Sequence, residues 1–295
     1  LPSFLFTIGG VYSVFRLGKS LYSAETGRLA ALIIASSLSF MLANSDVRMD
    51  AILTAAITFT AWQLAELLLT KKWIHVLGAA FGLALAFSTK GAIGVLVPGL
   101  FALFFAVYLN RTRDLFSVKW LSLLILFILF ISPVLYCYYL QFNLHPEKIV
   151  RGKDHINGVL FILFSQSFER YTGEMGEALK KDYLFFLHSF LWTFLPWSLI
   201  AIMAFYKKIS GLKVKQGEWA TALVFLVLLL LVSFSGFKLP HYLNISFPFA
   251  AVFSAGWLLQ HRDEPVFNKR ISGVQLFVSL FILLVLAVVN FWSFQ

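Results

Sequence analysis

Four segments carry residue types that could do chemistry in a chain otherwise poor in them. Arg48-Met49-Asp50 opens one apolar run and Ser88-Thr89-Lys90-Gly91 closes another. Lys238-Leu239-Pro240-His241-Tyr242 separates two more, and Arg170-Tyr171-Thr172-Gly173-Glu174 follows a short apolar stretch. A carboxylate at a helix start can accept the free amide hydrogens and meet the positive end of the helix dipole, so Asp46 or Asp50 can serve as a cap. One cap does not account for two aspartates flanking Arg48 at an apolar boundary, where each charge is costly unless it is paired or used. Asp50 is therefore a candidate functional carboxylate. Lys90 and Lys238 each stand at the rim of an apolar run. Snorkelling to ordinary lipid phosphates explains one such lysine. Two of them, one beside a glycine that admits a ligand close to the backbone and one beside Pro240-His241-Tyr242, point to a site for an anion.

The elements that must position these groups are membrane spans. Of 295 residues, 60% are hydrophobic and only 13% charged, with a mean hydropathy of +0.83. Soluble domains carry about a quarter charged residues, so too little polar surface is present to cover a globule in water. A soluble enzyme, a disordered tail, a collagenous chain and a disulfide scaffold are excluded. Cys137, the one cysteine, lies in an apolar run and is expected to be a small buried hydrophobe.

About 20 mostly apolar residues cross a bilayer core. Ten such runs are found, at 2–17, 28–45, 50–70, 74–89, 92–109, 118–142, 184–206, 218–236, 241–259 and 272–293. They do not alternate in polarity, so they are helices and not barrel strands. The expected fold is thus all-α and integral to the membrane. Six helices in 1–142 precede one long loop, 143–183, and four follow in 184–295. Within the loop, Val159 to Phe168 is too short to span and reads as an interfacial helix.

Of the 24 lysines and arginines, 15 fall in or beside the odd-numbered connections and three in the short even-numbered ones, the other six lying in the long loop. The basic side is expected to be cytoplasmic. That places Asp50, Lys90, Lys238 and the long loop outside. The net charge of +10 is accounted for by orientation and anionic lipid, with no need of nucleic acid.

Other chemistries lack their patterns. His145 and His155 in the long loop form no His-x-x-x-His and have no cysteine partner. His75 and His188 lie in helices and are expected to pack. No phosphate loop, dinucleotide fingerprint or defensible nucleophile triad occurs. Related halves with broken helices, the pointer to a secondary transporter, are not evident. Gly78-x-x-x-Gly82 allows a close helix contact.

Taken in order, Arg48-Met49-Asp50, Ser88-Thr89-Lys90-Gly91 with Val97-Pro98, Arg170-Tyr171-Thr172-Gly173-Glu174 before Leu195-Pro196-Trp197, and Lys238-Leu239-Pro240-His241-Tyr242 with Phe247-Pro248 resemble the polyprenyl-phosphate-sugar-dependent membrane glycosyltransferases. Within that GT-C type, the aminoarabinose transferases of lipid A and the protein O-mannosyltransferases are the nearest in pattern. The resemblance implies an inverting transfer of a sugar from a polyprenyl-phosphate donor to a lipid or protein acceptor at the outer face, in a bacterial inner membrane with the site on the periplasmic side. It implies that Asp50 is the second outer-face acid and a catalytic group, and that Lys90, Arg170 and Lys238 meet the carrier phosphate. Glu174, His241 and Tyr242 would complete the substrate site. No resident cofactor is implied, although a divalent metal held by carboxylates is one way to activate an acceptor hydroxyl. The family carries an Asp-Glu loop ahead of the point where Leu1 stands and, in many members, a soluble domain after the last helix. The chain therefore reads as a piece truncated at both ends, able to bind carrier lipid but not expected to transfer sugar alone. The rival reading is a transporter or flippase for lipid-linked or amphipathic anions, which needs ionisable groups near mid-membrane, a position that only Glu66 approaches.

Overall fold

A computed structural model describes residues 2–45, 49–149, 155–165, 182–210, 217–236 and 238–293. Among these residues the chain is all-helical and contains no strand. The helices are α1 (Pro2–Leu21), α2 (Ala24–Ala35), α3 (Leu38–Ser45), α4 (Asp50–Thr70), α5 (Trp73–Lys90), α6 (Ala92–Tyr108), α7 (Val118–Tyr138), α8 (Phe185–Thr193), α9 (Ser198–Ser210), α10 (Ala220–Ser233), α11 (Phe247–Gln260) and α12 (Pro265–Ser293). Short 3-10 turns at Thr112–Phe116 and Pro240–Ser246 lead into α7 and α11. Among the described residues, five segments are long and apolar enough to cross a membrane: Asp50–Thr70, Trp73–Lys90, Val118–Asn143, Pro240–Gln260 and Pro265–Phe291.

Two expected spans are broken. The run 28–45 divides at Ser36 and Ser37 into α2 and α3, and 184–206 divides between Thr193 and Ser198 into α8 and α9. Serine hydroxyls compete for the backbone carbonyls, and Pro196 offers no amide hydrogen to a helix. The two breaks meet. Leu38 N donates to Leu195 O at 2.9 Å and Trp197 Nε1 donates to Ser36 Oγ at 2.8 Å, so each interruption supplies partners to the other. A bilayer gives freed backbone groups no water, which makes such pairing obligatory. Broken helices are therefore present where none was expected.

The core sits on α4 and the segment ending in α11, whose spanning windows are 78% and 83% buried, whereas those of α7 and α12 are 11% and 6% buried. Phe101, Phe190, Phe194, Phe225, Phe247, Phe249 and Phe253 are all buried within the main cluster. Cys137 is exposed on α7, not buried. In lipid an apolar residue has no drive to enter the bundle, and α7 buries only Leu123 and Ile131. The Gly78 and Gly82 expectation holds. A Cβ on either would stand 2.7 Å from Gln63 Oε1 or 2.4 Å from Thr60 Oγ1, so these glycines bring α5 against α4. In the long loop, 158–165 is helical and Ile162 packs on Phe87 and Ile131, while 166–181 lie outside the described residues.

Side-chain contacts join the first connection to the seventh and ninth, and the third to the fifth. Tyr22 reaches Glu218, Lys71 pairs with Asp114 and Arg262 with Glu25. The opposite end of the bundle gathers Asp50, Lys90 and His241.

Candidate functional site

Asp50 occupies the first turn of α4 and is 5% exposed. The cap position belongs to Met49, with no side-chain hydrogen bond, so Asp50 is not used as a cap, and Asp46 and Arg48 lie outside the described residues. Its partner comes from the last residue of α5. Lys90 Nζ donates to Asp50 Oδ1 at 2.6 Å, and the two side chains are 13% and 7% exposed. The second oxygen, Oδ2, faces His241 Nε2 at 3.6 Å. Lys90 Nζ also lies 4.7 Å from the centroid of the Tyr242 ring, and the His241 and Tyr242 rings meet edge to face at 5.0 Å. Burial makes this pair strongly interdependent, since removing either partner leaves an uncompensated charge.

Backbone geometry positions the lysine. Gly91 stands between α5 and α6 with φ 67° and ψ −141°, a conformation open to glycine and strained for any residue with a Cβ. α5 thereby stops at Lys90 and α6 starts at Ala92, leaving the ammonium at the rim. We expect Gly91→Ala to cost about 1–3 kcal/mol of stability from the backbone alone. Thermal unfolding checks this, and an unchanged midpoint would show that the turn relaxes freely.

The pair opens on a cleft of about 180 Å³. Its mouth carries Asp50, Lys90, Ser235 and Tyr242, and its walls are apolar: Leu53 of α4, Ile93 and Leu96 of α6, Leu231 and Val232 of α10, and Ile245 of the 3-10 turn. A buried cation above a hydrocarbon-lined groove is suited to an amphipathic anion, with the charge at the rim and the tail among the side chains.

The structure brings together four of the seven residues singled out by sequence: Asp50, Lys90, His241 and Tyr242. Lys238 is buried at 4% exposure, with Nζ 5.5 Å from the Tyr183 ring centroid, and it does not line the cleft. Arg170 and Glu174 lie outside the described residues. The apolar walls and Ser235 were not singled out, because a leucine lining a groove and a leucine facing lipid have the same sequence signature. Among the described residues no three His, Cys, Asp or Glu side chains gather as for a metal, and Asp50 has His241 beside it. His75 bonds Gln63 through Nδ1 at 2.8 Å and His188 approaches Asp182 at 3.4 Å.

Comparison with known proteins bears on the family and the fold. Residues 1–137 match the family described as dolichyl-phosphate-mannose-protein mannosyltransferase. No curated protein matches the chain. Among solved structures, ArnT from Cupriavidus metallidurans bound to undecaprenyl phosphate superposes with a TM-score of 0.72 at 17% identity, covering 94% of this chain and 48% of that one. The same protein in the apo state gives 0.69 at 17% identity, covering 92% and 46%. The chain thus spans about half the length of the structures it matches, and it has their fold. The family match thus supports the resemblance over residues 1–137, and the likeness to the solved structures is one of fold.

Proposed function

We propose that this chain forms the carrier-binding part of a membrane glycosyltransferase that moves a sugar from a polyprenyl-phosphate donor to a lipid or protein acceptor, with inversion, at the outer face. The observation that carries the reading is the buried Lys90–Asp50 pair at the mouth of a hydrocarbon-lined cleft. The basic bias of the opposite end supports an outer, periplasmic position in a bacterial inner membrane.

Lys90 meets the carrier phosphate, and the polyprenyl chain follows Leu53, Leu96 and Leu231. The leaving group is a phosphate oxygen, so fixed cations stabilise the charge that develops on it and no general acid is required. The resemblance assigns Lys238 and Arg170 to the same phosphate and Glu174 to the substrate. An acceptor hydroxyl must lose a proton as it attacks the anomeric carbon from the face opposite the phosphate, which calls for a carboxylate within hydrogen-bond reach. Asp50, tied to Lys90 on one oxygen and facing His241 on the other, organises that side of the site. A divalent metal would need donors beyond Asp50 and His241, and no step here passes through one.

The transporter reading draws little from the placement of Glu66. That residue lies near the Thr70 end of α4, remote from Asp50, and accepts a hydrogen bond from Ser20 Oγ at 2.7 Å.

Binding to the 295-residue chain in detergent tests the proposal, with polyprenyl phosphate compared against a polyprenol of equal length. Saturable binding of the phosphate, at least tenfold tighter than the alcohol, is expected from one charge-assisted contact. Equal binding of the alcohol would remove the phosphate site, and with it the glycosyltransferase reading of the cleft.

A further inference from the structure

At the end of the bundle remote from Asp50, the turn from α4 into α5 and the 3-10 turn before α7 enclose a cavity of about 310 Å³. Lys71, Trp73, Asp114, Ser117, Lys119 and Trp120 stand on its wall. Lys71 Nζ lies 3.0 Å from Asp114 Oδ2. Lys119 Nζ donates to the Lys71 carbonyl at 2.5 Å and sits 5.6 Å from the centroid of the Trp73 ring. The wall thus carries two ammonium groups, of which one is paired with the single carboxylate Asp114 and the other bonds a backbone carbonyl, so the pocket keeps an excess of positive charge.

Two helix starts add to that excess. α5 begins after Lys72 and α7 after Ser117, and neither cap residue supplies a side-chain hydrogen bond. Trp73, Lys119 and Trp120, from the first turns of these helices, line the cavity, so both positive dipole ends border it. The pocket continues into apolar surface. On α5, Ile74 and Phe81 are 63% and 53% exposed, and on α7, Leu121 and Ile125 are 59% and 58% exposed. Tryptophans at the rim and aliphatic side chains beyond them match the headgroup-to-acyl boundary of a bilayer.

We propose that this pocket binds the phosphate of an anionic diacyl phospholipid, with Lys71 and Lys119 on the phosphate and the acyl chains along the outer faces of α5 and α7. Because the pocket lies at the basic end of the bundle, the lipid comes from the cytoplasmic leaflet. A free phosphate shares the headgroup chemistry, but the exposed apolar path has a counterpart only in a lipid. The site needs nothing from the Asp50 cleft and stands apart from the proposed glycosyl transfer.

The test places the chain in nanodiscs of equal phosphatidylglycerol and phosphatidylcholine, and counts the lipids retained on transfer to detergent by native mass spectrometry. Phosphatidylglycerol is expected to be retained about tenfold over phosphatidylcholine, and Lys71→Gln with Lys119→Gln should remove that preference. Excess inorganic phosphate should leave the bound lipid in place. Equal retention of the two lipids, an undiminished preference in the double variant, or displacement by inorganic phosphate would each overturn the proposal. Lys119→Gln alone, at a half-buried side chain, should lower the preference several-fold and keeps the test decisive if the double variant does not fold.

Discussion

Lys90→Met is expected to weaken binding of polyprenyl phosphate by about ten- to more than a hundredfold. A hydrogen bond to a charged group contributes roughly 1.5–3 kcal/mol, and every 1.4 kcal/mol is a factor of ten. Lys90 presents three donors, of which one goes to Asp50 at 2.6 Å, while Tyr242 supplies a ring face at 4.7 Å. Methionine keeps the length and apolar stem of the side chain, so the loss reports on charge. It also strands Asp50 as a buried anion, which should cost about 3–5 kcal/mol of stability in the unliganded chain. Lys90→Arg is the control. It retains the cation but replaces a compact ammonium with a wider planar fork, so it should restore most of the stability and only part of the affinity. Titration of carrier phosphate and thermal unfolding on the same preparations check both halves. Full-strength binding by the Met variant would reduce Lys90 to a partner that merely neutralises Asp50.

The reach of the sequence is clearest at this pair. That Asp50 and Lys90 were unusual followed from residue type alone, because a charge at an apolar boundary has to be explained. Their apposition did not follow. They stand 40 residues apart, and their meeting depends on α4 and α5 running antiparallel at close range. Gly78 and Gly82 signalled that closeness, yet many membrane helices carry such a pair without packing on a particular neighbour. The broken spans were hidden for a related reason. Hydropathy measures whether a segment tolerates lipid, and 28–45 and 184–206 stay apolar across their breaks. Ser36 and Pro196 interrupt the helices only because each break finds hydrogen-bond partners in the other. Cys137 marks the converse error. In a water-soluble fold an apolar run implies burial, whereas α7 is apolar because its surroundings are.

Asp50→Asn should separate binding from turnover. Asparagine keeps the shape but cannot neutralise Lys90, so the unliganded chain is expected to lose a few kcal/mol, part of which a bound phosphate recovers by replacing the missing anion. Two effects then favour the carrier in the variant: Lys90 is released from its 2.6 Å bond, and a carboxylate that repels the phosphate is gone. At about 5 Å and an effective dielectric of about 20, that repulsion alone is roughly 3 kcal/mol. Carrier phosphate should therefore bind the variant at least as tightly as the native chain. Sugar transfer should respond in the opposite sense, falling by about 10²–10⁴, the range that general-base assistance supplies. The split arises because Asp50 Oδ2 faces His241 at 3.6 Å, on the side where an acceptor hydroxyl must be held and deprotonated. Pairing Asp50→Asn with Lys90→Met in one chain removes both charges from the buried site. The double variant should be more stable than either single one, a coupling of opposite sign to independent losses. Carrier binding that collapses in Asp50→Asn would place the aspartate on the donor side. Unchanged turnover would take it out of the chemistry and leave it as the counter-ion of Lys90 at the rim of the cleft.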